Sequence, residues 1–342
     1  MNKLDCKKTI KDAISLLEIV VHKLVVVIED NKVVGTLTDG DLRRYFFNGG
    51  GVDSLVIDAM NTQPTVSCRD DLNSVLTKNN NNKLMCIPIV NSMNEFIELF
   101  VVPTQRTTGT AVNTAVLMAG GEGTRLRPLT NHKPKPMVEI DGVPILERQL
   151  EQLKKFGVVN IYISVNYLAE KITEYFGNGI KFGLNIKYIH EDKKLGTAGA
   201  LSLIENEIED NFLLMNGDIV TNIDFNEMAK FHLISDSLIT IGAINHDIKV
   251  PFGVLKVEAG VLKEVIEKPV YTELCNAGIY MINNKVLDRI PKNEYHDITT
   301  TIDTVLQNKG LISVFPIFES WSDVGTPEDL IRVENEIRKN KI

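Results

Sequence analysis

Apolar residues recur along this chain with two different periods. Over Thr9–Leu17, Ile145–Lys155 and Leu168–Phe176 they return every third or fourth position, the spacing of one face of a helix. Over Leu24–Ile28, Val33–Leu37, Thr114–Met118, Val158–Val165 and Phe212–Met215 they form short, branched runs that predict strands. Up to about residue 105 the order is helix, hairpin, helix: the two strands turn at Asn31-Lys32, and Asp39 to Tyr45 opens a helix with an acidic cap. The pattern then restarts, with a helix over Asp70–Leu76, a strand over Met85–Val90 and a partner strand over Glu95–Val102.

A polar, Thr- and Gly-containing stretch from Pro103 to Asn113 has no period and predicts a linker. Beyond it strands and helices alternate, with further strands at Asn185–His190 and Val261–Ile266, a helix over Leu201–Ile208 and a strand opened by Asn276–Tyr280. Such alternation predicts a parallel sheet with helices on both faces and ligands beyond the carboxyl ends of the strands.

Charge and cysteine usage narrow the classes of function. The 342 residues carry 37 Lys and Arg against 45 acids, a formal charge of -8, so nothing favours nucleic acid and a polyanion needs a local basic cluster. No signal peptide or apolar run long enough for a membrane is present, and a cytoplasmic location is expected. Cys6, Cys68, Cys86 and Cys275 are too scattered for a disulfide framework or a zinc site.

The densest chemistry follows the Thr114–Met118 strand: Met118, Ala119, Gly120, Gly121, Glu122, Gly123, Thr124, Arg125, Leu126 and Arg127, then Pro128 to Thr130 and Lys133-Pro-Lys135-Pro-Met137. Glycines at a strand end let a phosphate approach the backbone N–H groups, and four cations surround the same place. The stretch is not a P-loop, because Thr124 and Arg125 stand where Lys and Ser or Thr are required, and Pro128 comes too early for a dinucleotide fingerprint. Two acids, Asp218 after the Phe212 strand and Asp323 in Trp321-Ser-Asp-Val-Gly325, stand at strand ends, where a pair of carboxylates suits Mg²⁺.

This stretch resembles the signature of the sugar-1-phosphate nucleotidyltransferases, Ala-Gly-Gly-x-Gly-Thr-Arg-Leu-x-Pro-Leu-Thr followed by Lys-Pro. Gly196-Thr-Ala-Gly199, Glu267-Lys-Pro269, Asn276-Ala-Gly278 and Trp321-Ser-Asp323 follow in the family's order. The resemblance covers about residues 113–342, with the catalytic domain over 114–342, and implies a Rossmann-like α/β fold with a mixed, mostly parallel sheet. It implies that a nucleotide rests on Met118, Ala119, Gly120, Gly121, Gly123, Thr124, Gly196, Thr197 and Ala198. It implies a sugar phosphate at Gly199, Glu267, Lys268, Asn276 and Gly278, catalytic roles for Arg125, Lys135, Asp218 and Asp323, and Mg²⁺ on the two acids.

The repeat in residues 1–60 and 61–106 resembles a pair of CBS motifs, the second degenerate, forming a smaller α+β domain joined through residues 107–113. Thr38-Asp-Gly-Asp41 has the spacing of a regulatory nucleotide site in such pairs, while Thr104 has no acid three positions on. Thr38 and Asp41 read equally as a helix cap in a packing module, and a homo-oligomer, for instance a dimer, is expected. A CBS pair before a short catalytic domain is similar to the glucosamine-1-phosphate guanylyltransferases of legionaminic acid synthesis, which implies GTP and GDP-glucosamine. Mannose-1-phosphate is the alternative sugar, and a nucleotide-sensing protein with an inactive transferase domain is the alternative class.

Overall fold

The computed structural model describes every residue except 1, 21–22, 73–74, 76–85, 102–111, 205–206, 209 and 340–342. The chain divides into two compact units, Met1–Gly109 and Thr110–Ile342.

In the N-terminal unit, β1 (Lys3–Asp5) runs parallel to β2 (Leu24–Glu29), and β2 pairs antiparallel with β3 (Lys32–Thr38). The hairpin turns at Asp30 and Asn31 rather than Asn31-Lys32, because those two residues take the left-handed backbone that a tight two-residue turn requires. Strand β1, too short and too polar to announce itself, was not foreseen. Thr9 and Thr38 each cap a helix, Ile10–Ile19 and Asp39–Phe47, with a full capping box. Strands β4 (Cys86–Val90) and β5 (Phe96–Val101) form a second antiparallel pair, and Val26, Val33 and Val90 bring both pairs onto one small core. Of the helix expected over Asp70–Leu76, residues 73, 74 and 76 lie outside the described residues, as does all of the stretch 102–111, and the described start is a 3-10 turn over Arg69–Asp71.

The C-terminal unit is built on a seven-stranded sheet. Its strands are β6 (Thr114–Met118), β9 (Asn160–Val165), β10 (Asn185–His190), β11 (Phe212–Asn216), β13 (Ile239–Lys249), β16 (Val270–Ile282) and β17 (Ile312–Pro316). They lie in the order β10-β9-β6-β11-β16-β13-β17. Only β16 runs antiparallel to its neighbours. Small two-stranded ladders complete the unit: β7 (Glu139–Ile140) with β8 (Val143–Pro144), β12 (Ile219–Thr221) with β18 (Trp321–Asp323), and β14 (Val254–Glu258) with β15 (Val261–Ile266).

The apolar runs are explained by burial on both faces. Ala115 and Leu117 of β6 point into a core shared with helices Ile145–Lys155, Ala169–Phe176 and Phe225–Ser235. Val116 points the other way, into a core shared with helix Ile298–Gln307 and the segment 198–204. A strand clamped between two layers must be apolar at every position, and its polar chemistry can begin only where it ends.

Two expected elements differ. No helix forms over Leu201–Ile208 among the described residues; the helical turn is Gly196–Gly199, followed by a 3-10 turn over Ala200–Leu203. The cause is tertiary, since the N–H groups of Ala198 and Gly199 donate to the His296 carbonyl at 3.0 and 2.8 Å and so fix the chain one turn early. Asn276–Tyr280 does not open a strand but lies inside the 13-residue β16, which pairs along the whole of the 11-residue β13.

Candidate active site

The carboxyl ends of β6, β9, β10 and β11 surround a cavity of about 410 Å³. Met118, Gly120, Gly121, Lys135, Gly196, Thr197 and Asp218, all singled out in the sequence, line it. A Cβ on Gly120 would stand 2.9 Å from Glu191 Oε1 and displace that carboxylate. Gly121 faces open space. Gly123 sits behind the cavity with φ +61, and a Cβ on it would meet the Lys135 Cβ at 2.8 Å, so this glycine lets the loop close over the lysine stem.

Lys135 donates to Asp218 Oδ2 and stands 3.8 Å from Asp323 Oδ1. The acids meet because β12 and β18 pair antiparallel with Ile219 opposite Asp323, and because the Val324 N–H donates to the Asp218 carbonyl at 3.0 Å. Burial and the neighbouring Asp218 carboxylate push the Asp323 carboxyl up to about 6, against the pull of Lys135 and Arg125. Asp323 Oδ1 is buried with no hydrogen-bond partner. Two adjacent carboxylates, one reluctant to ionise and with an orphaned oxygen, suit a hard divalent cation. Among the described residues no cluster of three or more His, Cys, Asp or Glu could hold a metal, so other ligands would have to be substrate oxygens or water.

Other sequence-derived residues stand apart from the cavity lining. Arg125 is exposed, its guanidinium beside Gly325 near Asp323, and Thr124 is exposed in the same short turn. Ala119, Ala198 and Gly199 are buried in the structure behind the loops. Glu267 and Lys268 are exposed next to β15. Asn276 accepts from the Gly278 N–H at 2.9 Å and donates to Tyr280 Oη at 2.9 Å, while Gly278, φ +68, packs against Asn216. In the N-terminal unit Thr38 Oγ1 donates to Asp41 Oδ2 at 2.6 Å and accepts from the Asp41 N–H, so the two residues close the helix cap on each other.

Several lining residues were missed. Glu191 accepts from Ser164 Oγ and, at 3.1 Å, from the Leu195 N–H, which fixes its carboxylate at the cavity wall. Asn166 donates to the Glu191 carbonyl at 2.6 Å. Glu191, Asn166 and Asn216 each sit at or just past the end of a parallel strand, the same signal that marked Asp218. Lys194 pairs with Glu122 at 2.7 Å and ties the two cavity loops together, holding the Glu122 carboxyl below its usual range. Asp297 accepts from the Thr197 N–H at 3.2 Å and from Tyr295 Oη at 2.8 Å, while Thr197 Oγ1 accepts from the Ile298 N–H at 2.8 Å. No sequence signal marks this last group, which joins segments a hundred positions apart.

The profile of the nucleotidyl transferase family matches residues 114–340. The chain is 29% identical over 226 residues to a mannose-1-phosphate guanylyltransferase of Mycobacterium tuberculosis, covering 64% of this chain and 62% of that protein. It is 34% identical over 225 residues to a mannose-1-phosphate guanyltransferase of Debaryomyces hansenii, covering 63% and 62%. It is also 35% identical over 233 residues to the bifunctional protein GlmU of Methanococcus maripaludis, covering 65% and 53%. The chain thus spans less than two thirds of the length of these relatives. Among solved structures, HddC from Yersinia pseudotuberculosis, also known in complex with GMP-PN, superposes with TM-score 0.53 at 28% identity over 66% of this chain and all of that one. A glycine-rimmed cavity at the parallel strand ends, with Lys135 beside two acids, thus sits in a chain that belongs to the nucleotidyl transferase family.

Proposed function

We propose that the chain transfers a nucleotidyl group from a nucleoside triphosphate, GTP by preference, to a sugar 1-phosphate, releasing pyrophosphate. The observation that carries this reading is Lys135 held by Asp218 beside Asp323, at a cavity rimmed by the backbone of Gly120 and Gly121. An oxygen of the sugar phosphate displaces pyrophosphate in line at the α-phosphorus, so catalysis is orientation and charge neutralisation and needs no covalent enzyme intermediate.

In this reading the backbone of Gly120, Gly121 and Gly123 holds the triphosphate, and Lys135 draws the α-phosphate and the sugar phosphate together. Arg125, exposed near Asp323, takes the charge of the departing pyrophosphate. Asp218 and Asp323 would hold Mg²⁺, which when bound supplies positive charge to the phosphate oxygens. Gly196 and Thr197 flank the nucleotide. Burial of Ala198 and Gly199 favours a packing role for both, and the exposure of Glu267, Lys268 and Asn276 favours a role for them only where a sugar extends beyond the cavity.

Guanine is favoured by Glu191. Its carboxylate retains acceptor capacity at the cavity wall, and guanine offers two adjacent N–H donors where adenine offers an acceptor. The sugar is argued from two sides: the domain arrangement favours glucosamine-1-phosphate, whereas the names of the relatives favour mannose-1-phosphate. Incubating the purified chain with each triphosphate and with both sugar phosphates, and following pyrophosphate, tests the whole reading. Release with GTP and one of the two sugars is expected, and Glu191→Gln should narrow the margin of GTP over ATP. No release from any pair would refute the transfer reading and favour a nucleotide-sensing protein.

For the N-terminal unit we propose a CBS pair, residues 1–60 and 61–106, that serves packing or dimerisation. The mutual capping of Thr38 and Asp41 supports this over a nucleotide site. A rise in melting temperature on adding AMP, ADP or ATP that Asp41→Ala abolishes would reverse that preference.

A further inference from the structure

Helix Ile145–Lys155 presents Ile145, Leu146, Leu150 and Leu153 to the core, and on the same stripe stands Gln149, only 3% exposed. A glutamine in an apolar stripe costs stability unless its amide is satisfied. Its Nε2 donates to two carbonyls, Asn216 at 2.8 Å and Ile219 at 2.9 Å, while its Oε1 is buried without a hydrogen-bond partner, so the donor half of the amide is the half that the fold uses. Asn216 is the last residue of β11 and Ile219 the first of β12, so one amide staples both ends of the turn that carries Gly217 and Asp218. Ile219 is also the residue opposite Asp323 in the β12–β18 ladder.

We infer that Gln149 is a positioning residue: through this staple it holds the Asp218 carboxylate at the distance from Asp323 and Lys135 that a divalent cation requires. The inference rests on the acid pair proposed above, and it assigns Gln149 no contact with substrate or metal. Removing the two N–H donors takes these bonds from the two carbonyls that flank the turn, and the turn is then free to shift while the helix keeps its apolar contacts.

The test is the affinity of the full chain for Mn²⁺ alone, read by electron paramagnetic resonance, in Gln149→Met and in Leu150→Val. Leu150→Val removes one buried methylene from the same helix and controls for lost stability. Gln149→Met should raise the Mn²⁺ Kd by about tenfold or more, as loss of outer-shell partners does elsewhere, while Leu150→Val leaves it unchanged. In turnover kcat should fall with little change in the KM for the triphosphate. If Gln149→Met does not fold, Gln149→Glu, of the same shape but with a donor replaced by an acceptor, carries the same readout. An Mn²⁺ Kd within about twofold of the unaltered chain, an equal loss in Leu150→Val, or no Mn²⁺ binding by the unaltered chain would each overturn the inference. If the unaltered chain binds Mn²⁺ yet releases no pyrophosphate, the transfer reading fails while the role of Gln149 is still decided.

Discussion

The Lys135 ammonium stands 3.8 Å from Asp323 Oδ1 while it donates to the carboxylate of Asp218, so a single cation serves two acids carried by segments a hundred positions apart. Because the three groups act as one unit, their loss should not be additive. Lys135→Ala and Asp218→Ala should each lower kcat by roughly a hundredfold or more, and the double variant should fall little further. Pyrophosphate release under saturating substrate measures this, and a wild-type rate in either single variant refutes its role.

Asp323 gives a pH signature. Its carboxyl is raised to about 6 by burial and the charge of Asp218, above its value in the unfolded chain. The native state therefore keeps this proton longer, and the group withdraws stability as pH rises from about 4 through about 6, with the penalty complete above that. Without metal, Asp323→Asn should raise the melting temperature at about pH 7 and hardly change it near pH 4. Calorimetry at both pH values checks this, and an Asp323→Asn chain less stable at the higher pH would contradict it.

His232 works in the opposite direction. The ring is 2% exposed, its Nδ1 lies 2.7 Å from Thr240 Oγ1, and burial lowers its pKa to about 4. The unfolded chain takes up this proton first, so stability should fall as pH drops from about 6.5 to about 4. His232→Gln should flatten that part of the stability curve, which melting temperatures across the range will show.

Gly217 lies in the turn before Asp218, and a Cβ on it would stand 2.5 Å from the Met118 carbonyl oxygen. Gly217→Ala should cost about 1–3 kcal/mol of stability through overpacking. It should also lower kcat by about tenfold or more, since it displaces the acid from its partners. Urea denaturation and turnover at one temperature report both effects.

The local half of this molecule was legible. The runs Ala115–Met118 and Phe212–Met215 could be recognised as doubly buried strand interiors because every position in them is apolar, and the place of their chemistry followed, since polar groups can appear only where such a strand ends. The glycines and Asp218 follow such ends, while the roles of Lys135, Asp218 and Asp323 came from the resemblance to the family signature. Glu191 carried the same mark after the Asn185–His190 strand and was passed over. Gln149, a polar residue in the apolar stripe of its helix, was passed over as well.

Sequence alone thus determined which segments are buried and which side chains bear charge near strand ends, because both depend on neighbours within a few residues. Tertiary structure decided which of those charges meet. Asp323 reaches Asp218 through the register of two three-residue strands, and Thr197 reaches Asp297 through a loop a hundred positions away. The same packing turned Gly196–Gly199 into a helical turn and left Glu267 and Lys268 outside the cavity. Long-range pairing depends on how whole layers pack, and no local period of the chain encodes it.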